Sequence, residues 1–261
     1  MEEFDELVAI MRRLRGPEGC PWDREQTHET LAQHLIEEAY ELIEAVEDGR
    51  SEALCEELGD VLLQVVFHAQ MAAERGEFGI RDVLRRLVDK LYHRHPHVFG
   101  ELEVSGSEEV LRNWEQLKLL EYAETPRQSL LDGIPRGLPA LQRAQKLQRR
   151  AARVGFDWQD WVGPRAKLEE EITELDAALA SGEPGAIRHE VGDLLASVVN
   201  LCRLAGVDAE QALRQANRRF EQRFRYLEQA ARERGRDLSQ MSLAEMDELW
   251  EAAKSASGHE D

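Results

Sequence analysis

The sequence of 261 residues has few cysteines and no long apolar run. Its three cysteines, Cys20, Cys55 and Cys202, are widely separated and odd in number, which argues against a disulfide framework or a cysteine-based metal site. Polar residues interrupt the longest apolar stretch, 61–73, so nothing approaches the roughly 20 apolar residues that cross a bilayer. The N-terminus also lacks the basic and apolar regions of a secretory signal. We therefore expect a cytoplasmic protein without a membrane span.

Positive charge is also scarce. Lysine and arginine number 33 against 52 aspartates and glutamates, and the formal net charge is −19. Such a surface repels phosphate backbones, so no extended nucleic-acid-binding surface is expected. If the substrate carries phosphate, cations must supply the attraction.

The two halves of the sequence resemble each other. The acidic motifs Glu37-Glu38-x-x-Glu41 and Glu57-x-x-Asp60 recur 133 positions later as Glu170-Glu171-x-x-Glu174 and Glu190-x-x-Asp193. Two later pairs keep the same order: Lys90 and Arg94 match Arg219 and Arg223, and Trp114 and Lys118 match Trp250 and Lys254. The offset is far longer than the 20 to 50 residues of solenoid repeats, which indicates two domains from one duplication.

The composition predicts an all-α fold of tandem helical-bundle domains. Sustained alternation of β-branched and polar residues is lacking, whereas Ala, Leu, Glu, Gln and Arg are abundant. Prolines and glycines between 125 and 139 predict a linker there, which separates a domain at 1–124 from one at 140–261. Helices are predicted at 3–15, 27–47, 51–75, 80–94, 107–123, 139–153, 164–180, 185–205, 208–234 and 242–256.

The acidic motifs have the spacing of a metal site. Glu38 and Glu41 lie three residues apart and share a helix face, as do Glu57 and Asp60. Each pair borders an apolar stripe, so packing the two stripes together brings four carboxylates into one partly dry space. Such anions repel each other unless a divalent cation binds them, and oxygen ligands suit Mg²⁺, with Mn²⁺ as an alternative. The predicted ligands are Glu38, Glu41, Glu57 and Asp60 in the first half and Glu171, Glu174, Glu190 and Asp193 in the second.

Three other interpretations of the acidic and histidine residues are less favoured by the sequence. An isolated Glu-rich helix is usually a solvated face, but duplication of both pairs at fixed spacing favours a metal site. Ferritin-like di-iron proteins use Glu-x-x-His, whereas the second pair here is Glu-x-x-Asp in both halves. The histidines at 93, 95 and 97 have no counterpart in the second half, which favours turn and packing roles.

Several further motifs carry a family resemblance. They are Gly19-Cys-Pro-Trp-Asp23, Arg94-His-Pro-His-Val-Phe99, Ile134-Pro-Arg-x-Leu-Pro139, Val154-Gly-Phe-Asp-Trp158 and Ala216-Asn-x-x-Phe220. With the acidic motifs, they make the chain similar to the two-domain MazG family of nucleoside triphosphate pyrophosphohydrolases. The resemblance implies homodimeric helical domains and Mg²⁺-dependent hydrolysis of nucleoside triphosphates to the monophosphate and pyrophosphate.

The resemblance also implies roles for residues in the second half. Its metal ligands are the catalytic residues Glu171, Glu174, Glu190 and Asp193, and Glu170 positions a ligand or the attacking water. Arg219 and Arg223 stand one helical turn apart and can point two guanidinium groups at one triphosphate. The full set expected to bind nucleotide is Lys167, Arg188, Asn217, Arg219, Arg223 and Trp250.

The halves differ in one side chain, which suggests that they differ in catalytic activity. Asn217 stands two positions before Arg219, whereas the first half has Val88 two positions before Lys90. The first half therefore lacks a hydrogen-bonding side chain on the helix that is expected to contact the phosphates or the sugar of the nucleotide. We expect the second half to be the main catalyst, while the first binds metal and turns over weakly.

Two alternatives remain open at this stage. One is a narrower pyrimidine-specific dUTPase or dCTPase of the same superfamily, and the other is an inactive helical interaction module. We expect broad specificity, and the sequence does not choose between cleansing abnormal nucleotides and adjusting nucleotide pools. A dimer is expected because apolar residues nearly encircle the second acidic helix of the first half, namely Leu58, Val61, Leu62, Leu63, Val65, Val66 and Phe67.

Overall fold

The computed structural model describes residues 2–102, 104–106, 109–110, 113 and 129–256. Within these residues the regular structure is helical throughout, which confirms the predicted all-α class. The chain divides into two compact units, 1–124 and 125–261. None of the described helices has the length and hydropathy needed to cross a membrane.

The first unit is built around a pair of long helices. The bounds of its described helices are α1 Glu2–Leu14, α2 Pro21–Glu25, α3 His28–Asp48, α4 Ser51–Glu74, α5 Ile80–Arg94 and α6 Pro96–Phe99. A capping box between Thr27 and Thr30 starts α3, and Gly49 ends it in the left-handed conformation at φ 67°. Because only Gly49 and Arg50 separate them, α3 and α4 fold back on each other and pack along their length.

The core of the first unit forms where α1 packs on this pair. Its buried side chains are Met11, Leu31, Val66, Phe67 and Met71. Val66, Phe67 and Met71 belong to the apolar helix α4, so burial of that helix's inner side holds the unit together.

The second unit repeats this arrangement. Its described α-helices are α7 Ala140–Ala152, α8 Val162–Ser181, α9 Pro184–Leu204, α10 Ala209–Glu233 and α11 Leu243–Ala256, with a 3₁₀ turn at Leu238–Gln240. Gly182, at φ 69°, ends α8, and α9 starts at Pro184. Only Gly182 and Glu183 separate the two helices, so α8 and α9 are the counterpart of the α3–α4 pair. The helix α7 packs on α9, while α10 and α11 bury Leu227, Ala231, Met241, Leu249 and Ala253 between them.

Nine of the ten predicted helices are present, with ends within two residues of those expected. The tenth, 107–123, and its Trp114 and Lys118 lie largely outside the described residues. The sequence missed α2 and α6, each of five residues or fewer and each starting with a proline. Such short helices carry no apolar periodicity that a sequence pattern could detect.

Candidate active site

Three carboxylates of the second unit meet between α8 and α9. Oxygens of Glu171, Glu174 and Glu190 all lie within 4.8 Å of one another. Glu171 and Glu174 share one face of α8, and the short connection at 182–183 brings Glu190 of α9 against that face. Because Mg²⁺ holds its ligands at about 2.1 Å, ligand oxygens on one ion lie up to about 4.2 Å apart. Small side-chain rotations therefore suffice for these three to share a cation.

Glu171 has the environment of a ligand rather than that of a surface glutamate. It is only 3% exposed and lies on the buried line of α8, seven residues after Pro164 and seven before Ala178. Its Oε2 is buried without a hydrogen-bond partner among the described residues. An unpaired buried carboxylate oxygen is costly, and coordination to a cation removes that cost. The donor set thus fits a hard divalent ion.

Lys167 lies directly on the acidic cluster. Its Nζ is 2.8 Å from a carboxylate oxygen of Glu170 and also 2.8 Å from Oε1 of Glu171. These two carboxylates hold the pKa of Lys167 well above its usual range. The ammonium therefore stays charged at any physiological pH and offsets part of the cluster's negative charge.

Asp193 lies outside the three-carboxylate group. It is half-buried one turn beyond Glu190 on α9, and its Oδ2 is 3.3 Å from Nε2 of His189. The described structure therefore gathers three of the four predicted ligands of the second unit, with the fourth close by along the helix.

The first unit contains the matching cluster of Glu38, Glu41 and Glu57, again with carboxylate oxygens within 4.8 Å of one another. Burial, followed by the charges of Asp60, Glu41 and Glu57, raises the pKa of Glu38. Burial also raises the pKa of Glu57, with Glu41, Asp60 and Glu56 contributing. Asp60 is outside the three-residue group but close enough to act on both.

The two units differ in the cation beside the cluster. The residue that corresponds to Lys167 in the first unit is His34, whose Nδ1 lies 3.1 Å from Glu37, the counterpart of Glu170. The first cluster therefore has a histidine at the position where the second has a lysine.

The residues predicted to bind nucleotide lie on four helices of the second unit, with Lys167 on α8 and the others on α9, α10 and α11. Arg188 is exposed on α9 two positions before Glu190, and Asn217 and Arg219 are exposed on α10, which contacts α9. Arg223 is half-buried, with its guanidinium 5.8 Å from the ring centre of Trp250 on α11. That ring also lies 5.2 Å from Phe220, so Trp250 links the arginine-bearing face of α10 to α11.

One cavity of the second unit includes residues that sequence reasoning missed. Residues 155–158 of the motif at 154–158 line it together with Gln148, Asn200 and Arg203. The motif was noted for its family resemblance, but Gln148 is on α7 whereas Asn200 and Arg203 are on α9, so no sequence pattern associates the three. Only the packing of α7 on α9 brings them together.

The fold and site define an all-α protein with, in each of two tandem units, a cluster of three carboxylates that could hold a metal ion. The model of the MazG nucleotide pyrophosphohydrolase domain matches residues 26–99 and 164–227, which include both acidic clusters. The chain belongs to the MazG nucleotide pyrophosphohydrolase family, as its motifs predicted.

Relatives match along nearly the whole chain. A protein of Thermotoga maritima named nucleoside triphosphate pyrophosphohydrolase/pyrophosphatase MazG is 48% identical over 96% of this chain and 95% of its own length. The nucleoside triphosphate pyrophosphohydrolase of Escherichia coli K12 is 47% identical over 97% of this chain and 98% of its own length. The crystal structure of a MazG-related protein from Thermotoga maritima covers 44% of this chain, with 31% identity and a TM-score of 0.38.

Proposed function

We propose that this MazG-family pyrophosphohydrolase hydrolyses nucleoside triphosphates to the monophosphate and pyrophosphate, mainly in the second unit. The observation that carries the proposal is the cluster of Glu171, Glu174 and Glu190, with its buried, unpaired carboxylate oxygen. Water attacks phosphorus, the α–β phosphoanhydride bond breaks, and pyrophosphate and nucleoside monophosphate separate. We further propose broad base specificity and a role in maintaining nucleotide pools.

The residues fit a magnesium-dependent reaction. Glu171, Glu174, Glu190 and Asp193 would hold Mg²⁺, with Mn²⁺ as a substitute, and the bound ion supplies charge neutralisation on the phosphates and a more acidic water. Glu170 is exposed beside Lys167, and we propose that it orients the attacking water or accepts its proton.

Cationic side chains would hold the triphosphate against the acidic cluster. Lys167 already lies at that cluster, and its permanent charge can bind a phosphate oxygen without a proton change. Arg188, Arg219 and Arg223 contribute guanidinium groups from α9 and α10, while Asn217 offers an amide to the sugar or phosphate. Trp250 borders Arg223 and contacts the nucleotide from α11.

The first unit is proposed to bind metal through Glu38, Glu41, Glu57 and Asp60 but to turn over weakly. Val88 there replaces the amide of Asn217, and His34 replaces the permanent charge of Lys167. Both replacements weaken the binding of an anionic substrate without removing a carboxylate ligand.

We also propose that the chain forms a homodimer. The inner residues Val66 and Phe67 of α4 are buried as expected, but Leu58, Leu62 and Val65 remain 39–52% exposed. Val191, Leu195 and Val198 occupy the same positions on α9 and are 40–50% exposed. An apolar stripe repeated on the metal-bearing helix of both units is suited to burial against a second copy.

Product analysis tests the proposed reaction. The purified chain is incubated with each canonical ribo- and deoxyribonucleoside triphosphate and with oxidised and deaminated analogues, in Mg²⁺ or in EDTA. We expect equimolar monophosphate and pyrophosphate in Mg²⁺ and none in EDTA. Diphosphate and orthophosphate as primary products would contradict the reaction, and activity confined to dUTP or dCTP would contradict broad specificity.

A further inference from the structure

Two histidines of the first unit meet where α3 packs on α4. His28 is the first residue of α3, and His68 lies in the second half of α4. Their Nδ1 atoms are 2.7 Å apart, and the planes of the two rings differ by only 4°. The ring centres lie 5.0 Å apart, which is the 2.7 Å contact plus one ring radius on either side, so the rings lie end to end. This is the geometry of a nearly linear N–H···N hydrogen bond.

This hydrogen bond sets a limit on the protonation of the two rings. An imidazole nitrogen donates when it carries hydrogen and accepts when it does not, so one ring presents Nδ1–H and the other a bare Nδ1. If both rings are protonated, two N–H groups face each other and no acceptor remains. The contact therefore holds when the pair is neutral or carries one added proton, but not when it carries two.

The surroundings of His68 disfavour a second positive charge. Its Nε2 is buried with no hydrogen-bond partner in the described part of the chain. Burial lowers the pKa of His68, and the charge of His28 lowers it further. The neighbours of His68 on α4, Phe67 and Ala69, are core residues at 3% and 2% exposure. A second proton is thus unfavourable for as long as the helices stay packed.

Other charges at this end of the helix pair do not compensate such a proton. Among the described residues, His28 is the only one whose charge bears on the pKa of His68. Glu29, which follows His28 on α3, is exposed, and Arg75, just after α4, brings a charge of the opposite sign to it. The two charges offset each other at this end of the helices.

The charges that α1 and α5 bring against α4 are already engaged. Arg15 of α1 lies over Phe67, the residue before His68, and donates to Glu74. Asp82, in the first turn of α5, accepts a hydrogen bond from the backbone N–H of Gly79. Within the described ranges no carboxylate pairs with either histidine, so a second proton on the pair has no counter-charge in contact with it.

The histidine pair lies at the end of the two helices that the chain does not connect. The connection between α3 and α4 is at 49–50, and at about 1.5 Å per residue His28 lies roughly 30 Å along α3 from it, with His68 roughly 25 Å along α4. The carboxylate cluster of the first unit lies between the connection and the histidines. The covalent connection holds one end of the helix pair together, and the histidine contact holds the other.

The second unit has no such pair. The residues 133 positions after His28 and His68 are Trp161 and Leu201, and Leu201 lies on α9, the counterpart of α4. A leucine side chain neither donates nor accepts a hydrogen bond. The histidine contact is therefore not a requirement of this helix pair, and a leucine at the matched position is compatible with it.

We propose that His28 and His68 form a pH-sensitive latch, which holds the open end of the α3–α4 pair while at most one ring is protonated and releases it when both are. Release lets both rings take up protons as they do in an unfolded chain. Opening then becomes more favourable as the pH falls below about 6.5, by up to about tenfold per pH unit for each proton taken up. The latch does not depend on the proposed reaction, so either can fail alone.

Nuclear magnetic resonance of the histidine rings tests the hydrogen bond in the full chain. With ¹⁵N-labelled histidine at pH 8, one ring of the pair should be the Nδ1–H tautomer and the other the Nε2–H tautomer, and His28→Gln and His68→Leu assign the signals. As the pH falls, both rings should titrate together in two steps, the second well below the ordinary histidine range. Two Nε2–H tautomers, or two independent titrations in the ordinary range, would overturn the inference.

Hydrogen exchange followed by mass spectrometry tests the release. Protection of the peptides covering 28–38 and 62–72, corrected for the intrinsic effect of pH on exchange, should fall by about tenfold or more between pH 7 and pH 5 in the wild type. In His68→Leu, which places the second unit's residue at the matched position, the fall should be about twofold or less. His93→Gln, which changes an exposed histidine of α5, should behave as the wild type.

Two carboxyls of the first unit also change protonation with pH and need a control. Burial is the main cause of the raised pKa values of Glu38 and Glu57, which stabilise the unit as the pH falls and so oppose the latch. Both are present in the wild type and in His68→Leu, so comparing the two proteins removes their effect. An equal fall of protection in these two proteins would overturn the inference. If His68→Leu does not fold, the tautomers and the titration of the wild type decide.

Discussion

At the scale of single residues, the side chain at position 167 distinguishes the two acidic clusters. Lys167 contacts Glu170 and Glu171, whereas His34 in the equivalent position forms its ion pair with Glu37. Under the proposed function, the lysine contributes a positive charge to phosphate binding. Both units retain their carboxylates, so the proposed difference between them concerns phosphate binding rather than metal binding.

The sequence predicted the carboxylates better than their partners. Helical spacing and flanking apolar residues were enough to bring Glu171, Glu174 and Glu190 together, because backbone geometry alone sets which face they share. The contact of Asp193 with His189 depends on a side-chain rotamer, and the hydrogen bond between His28 and His68 depends on packing between distant segments. Neither leaves a periodic signal in the sequence.

Arg223 gives a prediction about phosphate binding. Its Nε is buried with no hydrogen-bond partner in the described part of the chain, and its guanidinium stacks near Trp250. Arg223→Ala should raise KM for triphosphates by about 10- to 100-fold, the effect of one charge-assisted hydrogen bond, and leave metal affinity unchanged. Steady-state kinetics and Mn²⁺ titration measure the two effects. Arg225→Ala, which removes a 78% exposed arginine of the same helix, should change neither, and equal effects would contradict the assignment.

At the scale of helices, caps and short connections explain why the two acidic pairs meet. Glycines in the left-handed conformation end α3 and α8, and each following helix starts within two residues. The sequence predicted these long helices to within two residues because apolar periodicity, caps and breakers agree there. It could not predict α2, whose position depends on contacts with the end of α1.

Arg15 is the main such contact and gives a stability prediction. Its side chain is 8% exposed, lies over Phe67 at 5.3 Å and donates to Glu74 at 2.8 Å, which joins the end of α1 to the end of α4. The Arg15 hydrogen bond is the main cause of the lowered pKa of Glu74. Arg15→Ala should therefore destabilise the protein by roughly 1–3 kcal/mol at pH 7.

The pH dependence of that loss has a definite sign. A carboxyl whose pKa is depressed by folding stabilises the protein above its ordinary pKa, and the contribution disappears as the pH falls through the depressed value. The difference between wild type and Arg15→Ala should thus be larger at pH 7 than at pH 3. Urea unfolding at both pH values measures it, with the exposed Arg13→Ala as control. An equal difference at both pH values would show that packing, not the ion pair, is responsible.

At the scale of the whole molecule, duplication has preserved the carboxylate clusters and the exposed apolar stripes of α4 and α9. If the stripes are covered by a second copy, Leu62→Glu and Leu195→Glu should each weaken the dimer, because a charge would be buried at the interface. Light scattering at micromolar concentration should give a dimer for the wild type and more monomer for the variants. A monomeric wild type would contradict the proposal.

We propose that triphosphates are split at the carboxylate cluster of the second unit. Glu174→Gln and Glu41→Gln make the same change at matched positions, each replacing one charged oxygen ligand by an amide of equal size. The most direct test is pyrophosphate release by the two variants in Mg²⁺, with circular dichroism to confirm that both are folded. Glu174→Gln should lose about 100-fold or more in kcat, as expected when metal stabilisation of phosphate charge is removed, while Glu41→Gln should keep most of the wild-type rate. Equal losses in the two variants, or loss in Glu41→Gln alone, would contradict the claim.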